Sequence, residues 1–132
     1  MRVLVLGGSG FVGRNVCAAL SASGIDFVTA SRTSGVDLRE TSETITLLRN
    51  AKPEIIVNCA AHVGSLNYVT EQAAEVVADN ARMSLALYEA IAATDSSIRV
   101  INPIANCAYP ASAESRCELQ LPLLDLWKRL QF

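Results

Sequence analysis

The stretch Val3-Leu4-Val5-Leu6-Gly7-Gly8-Ser9-Gly10-Phe11-Val12-Gly13 decides the fold of this 132-residue chain. Its four aliphatic residues predict a buried strand, and the apolar spacing after it predicts a helix over residues 15–22. Glycines at positions 7, 10 and 13 suit the turn between them, because a tight turn, a close approach by phosphates and a close helix–strand contact each exclude a Cβ. The helix N-terminus adds N–H donors and partial positive charge. Together these features predict a dinucleotide-binding turn.

Strand-like and helix-like segments alternate along the rest of the chain. Further strands are predicted at 27–30, 36–38, 54–58 and 98–104, and further helices at 41–50 and 69–93. No run of hairpins interrupts them, which favours an α/β fold with right-handed crossovers. We predict a Rossmann-like parallel sheet of about five strands in the order 3-2-1-4-5, with helices on both faces and a ligand cleft between strands one and four.

The character of the sequence changes after Pro110. Residues 1–110 are predicted to form an NAD(P)-binding domain, and residues 111–132 a divergent tail. The tail contains a short amphipathic helix that starts near Pro122 and carries Leu123, Leu126, Trp127 and Leu130 on one side. A helix of this length is marginal alone, so we expect it to dock on another surface.

Composition excludes several classes of protein. The formal net charge is −2 and no Lys/Arg cluster is present, so nucleic acid is not an expected partner. No apolar run approaches the roughly 18 residues that span a bilayer, and the first apolar run is too short for a signal peptide, so we expect no membrane partner and a cytoplasmic location. The four cysteines form no C-x-x-C pair, and no metal site is predicted.

The residues after the second predicted strand indicate which dinucleotide binds. NAD-preferring folds place an acidic residue there to hold the ribose hydroxyls, whereas this chain has Ser31-Arg32. Arginine neutralises a 2′-phosphate and serine donates a hydrogen bond to it, which favours NADP, with NAD as the alternative. A solvated arginine without a ligand is the other interpretation of Arg32.

Several motifs resemble the extended short-chain dehydrogenase/reductase family, in its NAD-dependent nucleotide-sugar epimerase/dehydratase group. Gly7, Gly10 and Gly13 match its glycine motif, and Asn80 resembles its structural asparagine. Within the group, His62-Val63-Gly64-Ser65 and Cys107-Ala108-Tyr109-Pro110 are most similar to GDP-fucose synthase-like enzymes. Taken with the motifs above, the resemblance implies cofactor contacts from Gly7, Gly10, Phe11, Val12, Gly13, Ser31, Arg32, Asp37, Leu38, Ala60, Ala61 and His62.

The sequence departs from the family where catalysis is concerned. The resemblance implies a Tyr acid/base, a Lys that lowers its pKa and a Ser that holds the substrate oxygen. Ala105 stands at the serine position, and no tyrosine is followed four residues later by lysine. We therefore predict no catalytic residue in this chain, and we expect the fold to be truncated before the substrate-binding portion.

Three hypotheses follow for function. The first is the NAD(P)-binding N-terminal half of a nucleotide-sugar epimerase, dehydratase or reductase, an oxidoreductase-like domain without turnover alone. The second is a non-catalytic interaction module that forms a homo-oligomer through the tail. The third is one half of a split enzyme, which would bind a nucleotide sugar only when a partner chain supplies the missing Tyr and Lys.

Overall fold

The structure is a computed structural model that describes residues 1–103, of which Met1–Asn102 form one compact unit. The predicted domain end at residue 110, the tail helix, and the positions Ala105 and Tyr109 lie outside the described residues. Those parts of the sequence analysis stay predictions.

Four parallel strands form the sheet, in the order β2-β1-β3-β4. They are β1 (Val3–Leu6), β2 (Phe27–Ala30), β3 (Ile55–Asn58) and β4 (Arg99–Ile101). Leu6 is level with Ala30 on one side and Asn58 on the other, so three strands end at the same edge. All of β1 is buried, as a continuous aliphatic run predicts for a central parallel strand. The predicted Rossmann-like α/β fold and the order of these four strands are confirmed.

The third predicted strand, over residues 36–38, is wrong, so the described chain has four strands rather than five. The backbone before it turns through Gly35, which has φ 84°. The Asp37 N–H donates to Glu43 Oε2 at 2.8 Å, and the Arg39 N–H donates to Asp37 Oδ1 at 3.0 Å. These local bonds turn the segment away from β2, although Leu38 is still buried in the core.

Four helices connect the strands. They are α1 (Phe11–Ala22), α2 (Thr41–Ala51), α3 (Leu66–Glu71) and α4 (Ala73–Thr94). Right-handed crossovers place α1 on one face of the sheet, because the chain moves one way after β1 and the other way after β2. The same rule places α2 and α4 together on the opposite face, where they pack against each other. Among the described residues, no helix is long and apolar enough to cross a membrane.

The long helix predicted over residues 69–93 is divided at Gln72 into α3 and α4. Two large apolar side chains of α4 face away from the core, since Val77 is 67% exposed and Tyr88 is 51% exposed. The buried side of α4 instead carries Ala86, Leu87, Ala90 and Ile91. Two alanines on that side allow close packing, which counting large apolar residues does not anticipate.

Candidate functional site

A cleft of about 330 Å³ opens at the carboxyl ends of β1, β2 and β3. Ligands of open parallel sheets bind at this edge, where the connections after neighbouring strands diverge. The cleft contains nine of the twelve residues predicted to contact a cofactor, and the other three, Phe11, Val12 and Gly13, lie in the first turn of α1. Its lining consists of Gly7, Ser9, Gly10, Ser31, Arg32, Val36, Asp37, Leu38, Arg39, Cys59, Ala60, Ala61, His62, Val63, Asp79 and Met83.

The backbone around the glycine turn packs so closely that Gly7 and Gly13 leave no space for a Cβ. Gly7 has φ 72°, and a Cβ there would lie 2.7 Å from both Ala60 N and Cys59 O. A Cβ on Gly13 would overlap the carbonyl oxygen of Gly7, which fixes how closely α1 approaches the end of β1. Gly10 N donates to Gly7 O at 2.9 Å and closes the turn. The close packing predicted from the glycine spacing is therefore present at Gly7 and Gly13.

The N-terminus of α1 begins directly after this turn, with Gly10 as its N-cap. The first N–H groups of a helix have no partner within the helix, and they carry partial positive charge. No acidic residue lies in the first turn of α1. A glycine-rich cradle next to unopposed N–H donors fits a pyrophosphate.

A short 3₁₀ turn, Arg32–Ser34, follows β2 and forms one wall of the cleft. Its backbone is held by Ser34 Oγ, which accepts from Ser31 N at 2.9 Å and donates to Ser31 O at 2.7 Å. The Ser31 hydroxyl is 2.8 Å from Thr33 Oγ1. Arg32 is exposed and forms no ion pair with any residue of the described range. The turn therefore presents a cation and a hydroxyl to the cleft.

A charged network also lines the cleft. Arg39 donates from Nη2 to Asp37 Oδ2 at 2.7 Å and from Nη1 to both oxygens of Asp79 at 3.2 Å. Hydrogen bonds from the Arg39 side chain hold the pKa of Asp37 at about 2. Burial acts to raise the pKa of Asp79, but hydrogen bonds from Arg39 and His62 outweigh it and leave that pKa below its usual value. Both carboxylates are ionised at neutral pH.

His62 continues the network to Tyr68 of α3. Its Nδ1 lies 3.0 Å from Asp79 Oδ2, and its Nε2 lies 2.9 Å from the Tyr68 hydroxyl. Its backbone is fixed by Asn80, whose Oδ1 accepts from His62 N at 2.9 Å and whose Nδ2 donates to His62 O at 2.8 Å. Asn80 thus lies on the inward side of its helix, and its contacts hold the loop after β3 in place.

One group of side chains has the spacing of a metal site. Ligand atoms of His62, Glu75 and Asp79 lie within 4.8 Å of one another. Asp79 already accepts from Arg39 and lies 3.9 Å from the guanidinium of Arg82. These positive neighbours oppose a cation, so we interpret the group as part of the ion-pair network.

Sequence reasoning missed three members of this network, Arg39, Tyr68 and Asp79. Arg39 directly follows the predicted Asp37-Leu38 pair, and Asp79 directly precedes the inward-facing Asn80. An acidic residue beside the residue that resembles the family's structural asparagine was the available signal, since a buried carboxylate requires a charged partner.

Comparisons with known proteins agree with this geometry. A profile of the NAD dependent epimerase/dehydratase family matches residues 3–124. GDP-L-colitose synthase of Yersinia pseudotuberculosis is 30% identical over 116 residues, which cover 87% of this chain and 37% of that protein. GDP-L-fucose synthase of Azorhizobium caulinodans is 30% identical over 113 residues, covering 86% and 36%.

Among solved structures, the UDP-glucose 4-epimerase of Thermus thermophilus in complex with NAD is similar to this chain, with a TM-score of 0.63 and 27% identity. The similarity covers 69% of this chain and 33% of that one. The chain thus spans little more than a third of the length of the curated relatives it matches, in their N-terminal parts.

Proposed function

This chain belongs to the NAD-dependent epimerase/dehydratase family, and we propose that its cleft binds NADP(H) as the dinucleotide-binding part of a nucleotide-sugar enzyme. The proposal is supported above all by one observation. The glycine turn of β1–α1 and the Ser31-Arg32 turn after β2 line the same cleft, at the edge where parallel sheets bind dinucleotides. The pyrophosphate would lie against the glycine turn and the start of α1, and the nicotinamide would supply or accept a hydride.

The choice of NADP over NAD rests on the wall formed by Ser31 and Arg32. An exposed guanidinium with no ion-pair partner in the described range is available to a 2′-phosphate, and the neighbouring hydroxyl can donate to it. NAD remains the alternative, since the solved epimerase named above is a complex with NAD. Asp37 and Leu38 would contact the adenine, as the family resemblance implies.

Binding is tested by titrating the full chain with NADPH and with NADH and following the nicotinamide fluorescence. We expect NADPH to bind more tightly, and Arg32→Ala to weaken NADPH by about tenfold while leaving NADH nearly unchanged, because a charge-assisted contact is worth about 1.5–3 kcal/mol. Arg49→Ala is the matched control, since Arg49 lines a different cavity. No binding of either dinucleotide at millimolar concentration would overturn the proposal.

The substrate proposal is a nucleotide sugar, which the named relatives suggest. Because the sequence contains no Tyr-x-x-x-Lys and has Ala105 at the serine position, we propose that this chain does not turn over a nucleotide sugar alone. Turnover would require a polypeptide that supplies the acid/base pair. Incubating the chain with NADPH and a GDP-keto sugar tests this, and NADPH consumption above the protein-free rate would contradict it.

Two further expectations accompany this proposal. We propose that the chain acts in the cytoplasm and that it self-associates into a homo-oligomer. Light scattering of the full chain and of a form lacking residues 120–132 tests the second expectation. A monomer in both forms would contradict it.

A further inference from the structure

Arg39 lies in the cleft between two carboxylates, and among the described residues the one other guanidinium that forms an ion pair with either of them is that of Arg82, 3.9 Å from Asp79. Arg39 contacts both oxygens of Asp37 and both oxygens of Asp79. The Asp79 side chain is only 10% exposed, so its charge is poorly screened by water. Arg39 therefore compensates the charges of two acids in the cleft that is proposed to bind an anionic dinucleotide.

The charges of the cleft balance only with Arg39 present. The lining contains two arginines, Arg32 and Arg39, and two acids, Asp37 and Asp79, so these four charges sum to zero. Without Arg39 the lining would carry one positive and two negative charges. NADPH is more highly charged than NADH by its 2′-phosphate, so it would be repelled more strongly by the uncompensated acids.

Asp37 also lies within the electrostatic reach of Arg32. After the stronger effects of Arg39, the charge of Arg32 contributes to lowering the pKa of Asp37. An ionised Asp37 released from Arg39 would therefore compete with a 2′-phosphate for Arg32. The two arginines therefore have different roles. Arg39 pairs with the acids, and Arg32 stays available to the 2′-phosphate.

We propose that Arg39 is a specificity-determining residue, whose charge neutralises Asp37 and Asp79 so that the cleft accepts NADPH in preference to NADH. This inference rests on the proposed function, since it presumes that the cleft binds a dinucleotide. The role assigned to Arg39 depends on its charge. If Arg39 only held Asp37 and Asp79 in place, its loss would weaken NADPH and NADH equally.

The test measures dissociation constants for NADPH and NADH with the full chain and with Arg39→Met, Arg39→Lys and the control Arg82→Met. Arg82 lies 3.9 Å from Asp79 but is 67% exposed and is not part of the cleft lining. We expect Arg39→Met to weaken NADPH by about tenfold and NADH by no more than about threefold. Arg39→Lys keeps the charge but loses the planar fork, so it should weaken both together and keep their ratio within about twofold. Arg82→Met should keep both affinities.

The outcomes separate this inference from the proposed function. Absence of binding to the unaltered chain would refute the proposed function and this inference with it. If the unaltered chain binds and Arg39→Met weakens NADPH and NADH equally, the proposed function stands and the charge role of Arg39 is refuted. If the melting curve shows that Arg39→Met does not fold, Arg39→Gln, which removes the same charge but keeps a polar side chain, is measured in its place. A preserved NADPH-to-NADH ratio in that variant overturns the inference, and a lost preference supports it.

Discussion

Removing the side chain of Asn80 should destabilise the protein by an amount that can be worked from its contacts. Asn80→Ala deletes the acceptor of the His62 N–H and the donor to the His62 carbonyl, at 2.9 and 2.8 Å. A hydrogen bond contributes about 1 kcal/mol net, and a partly buried group left unsatisfied costs about 1–3 kcal/mol. The two lost contacts with His62 predict a destabilisation of about 2 kcal/mol. A third bond, from Asn80 Nδ2 to Val76 O one turn earlier at 2.8 Å, is also lost, and its counterpart is lost in the control below.

Asn15→Ala is the matched control, because it makes the same substitution within a helix. Asn15 is exposed, and its side chain makes one bond, to Phe11 O one turn earlier. The gain in helix propensity of about 0.5 kcal/mol is common to both variants and cancels in the comparison. Urea unfolding followed by circular dichroism should give a midpoint about 1 M lower for Asn80→Ala than for Asn15→Ala, if the slope is about 2 kcal/mol/M. A difference in free energy below about 0.5 kcal/mol would show that Asn80 does not hold the loop after β3.

Three further predictions concern the glycine turn, the charged network and the loop before α3. Gly13→Ala forces a Cβ into a backbone carbonyl, so it should lower the free energy of unfolding by about 3 kcal/mol or more and abolish NADPH binding. The control is Gly24→Ala, at a residue that is left-handed but in open space. It should lower the free energy of unfolding in urea by only about 1–2 kcal/mol and leave binding intact. Because the folded pKa of Asp37 is about 2 and its unfolded value is near 3.8, its ionised form stabilises the fold above pH 4. The stability difference between the unaltered chain and Asp37→Asn should therefore shrink as pH falls from about 4 to about 2, and a constant difference would contradict the ion pair. A Cβ on Gly64 would lie 2.8 Å from Cγ of Tyr68, so Gly64→Ala should destabilise the protein when made alone. In a Tyr68→Ala background it should be much less destabilising. Additive changes in the free energy of unfolding in this double-mutant cycle would refute the contact.

The sheet was predictable because its signals are local. The aliphatic runs of β1 and β3 and the glycine turn between β1 and α1 each lie within a few consecutive residues. The strand predicted at residues 36–38 failed because Asp37 forms local bonds that a β-propensity argument does not include. The break between α3 and α4 falls at Gln72, where no proline or glycine marks it.

The candidate site also contains residues that the sequence predicted and residues that it did not. Ser31 and Arg32 were predicted from their place after a strand and His62 from the family resemblance, and all three line the cleft. The network of Arg39 was not predicted, because it joins residues 40 positions apart in the sequence. The packing of α4 against α2 brings Asp79 to Arg39, and no local pattern encodes that distance.

The most direct test of the account is an amide ¹H–¹⁵N NMR titration of the full chain with NADP⁺, because it reports where the ligand binds as well as whether it binds. We predict saturable shifts at residues 8–13, 31–33 and 60–62, around the cleft at the carboxyl ends of β1 to β3. The other end of the sheet has its own cavity, lined by Lys52, Glu54 and Arg99 among others. Shifts concentrated there, or no shifts at millimolar NADP⁺, would contradict the central claim.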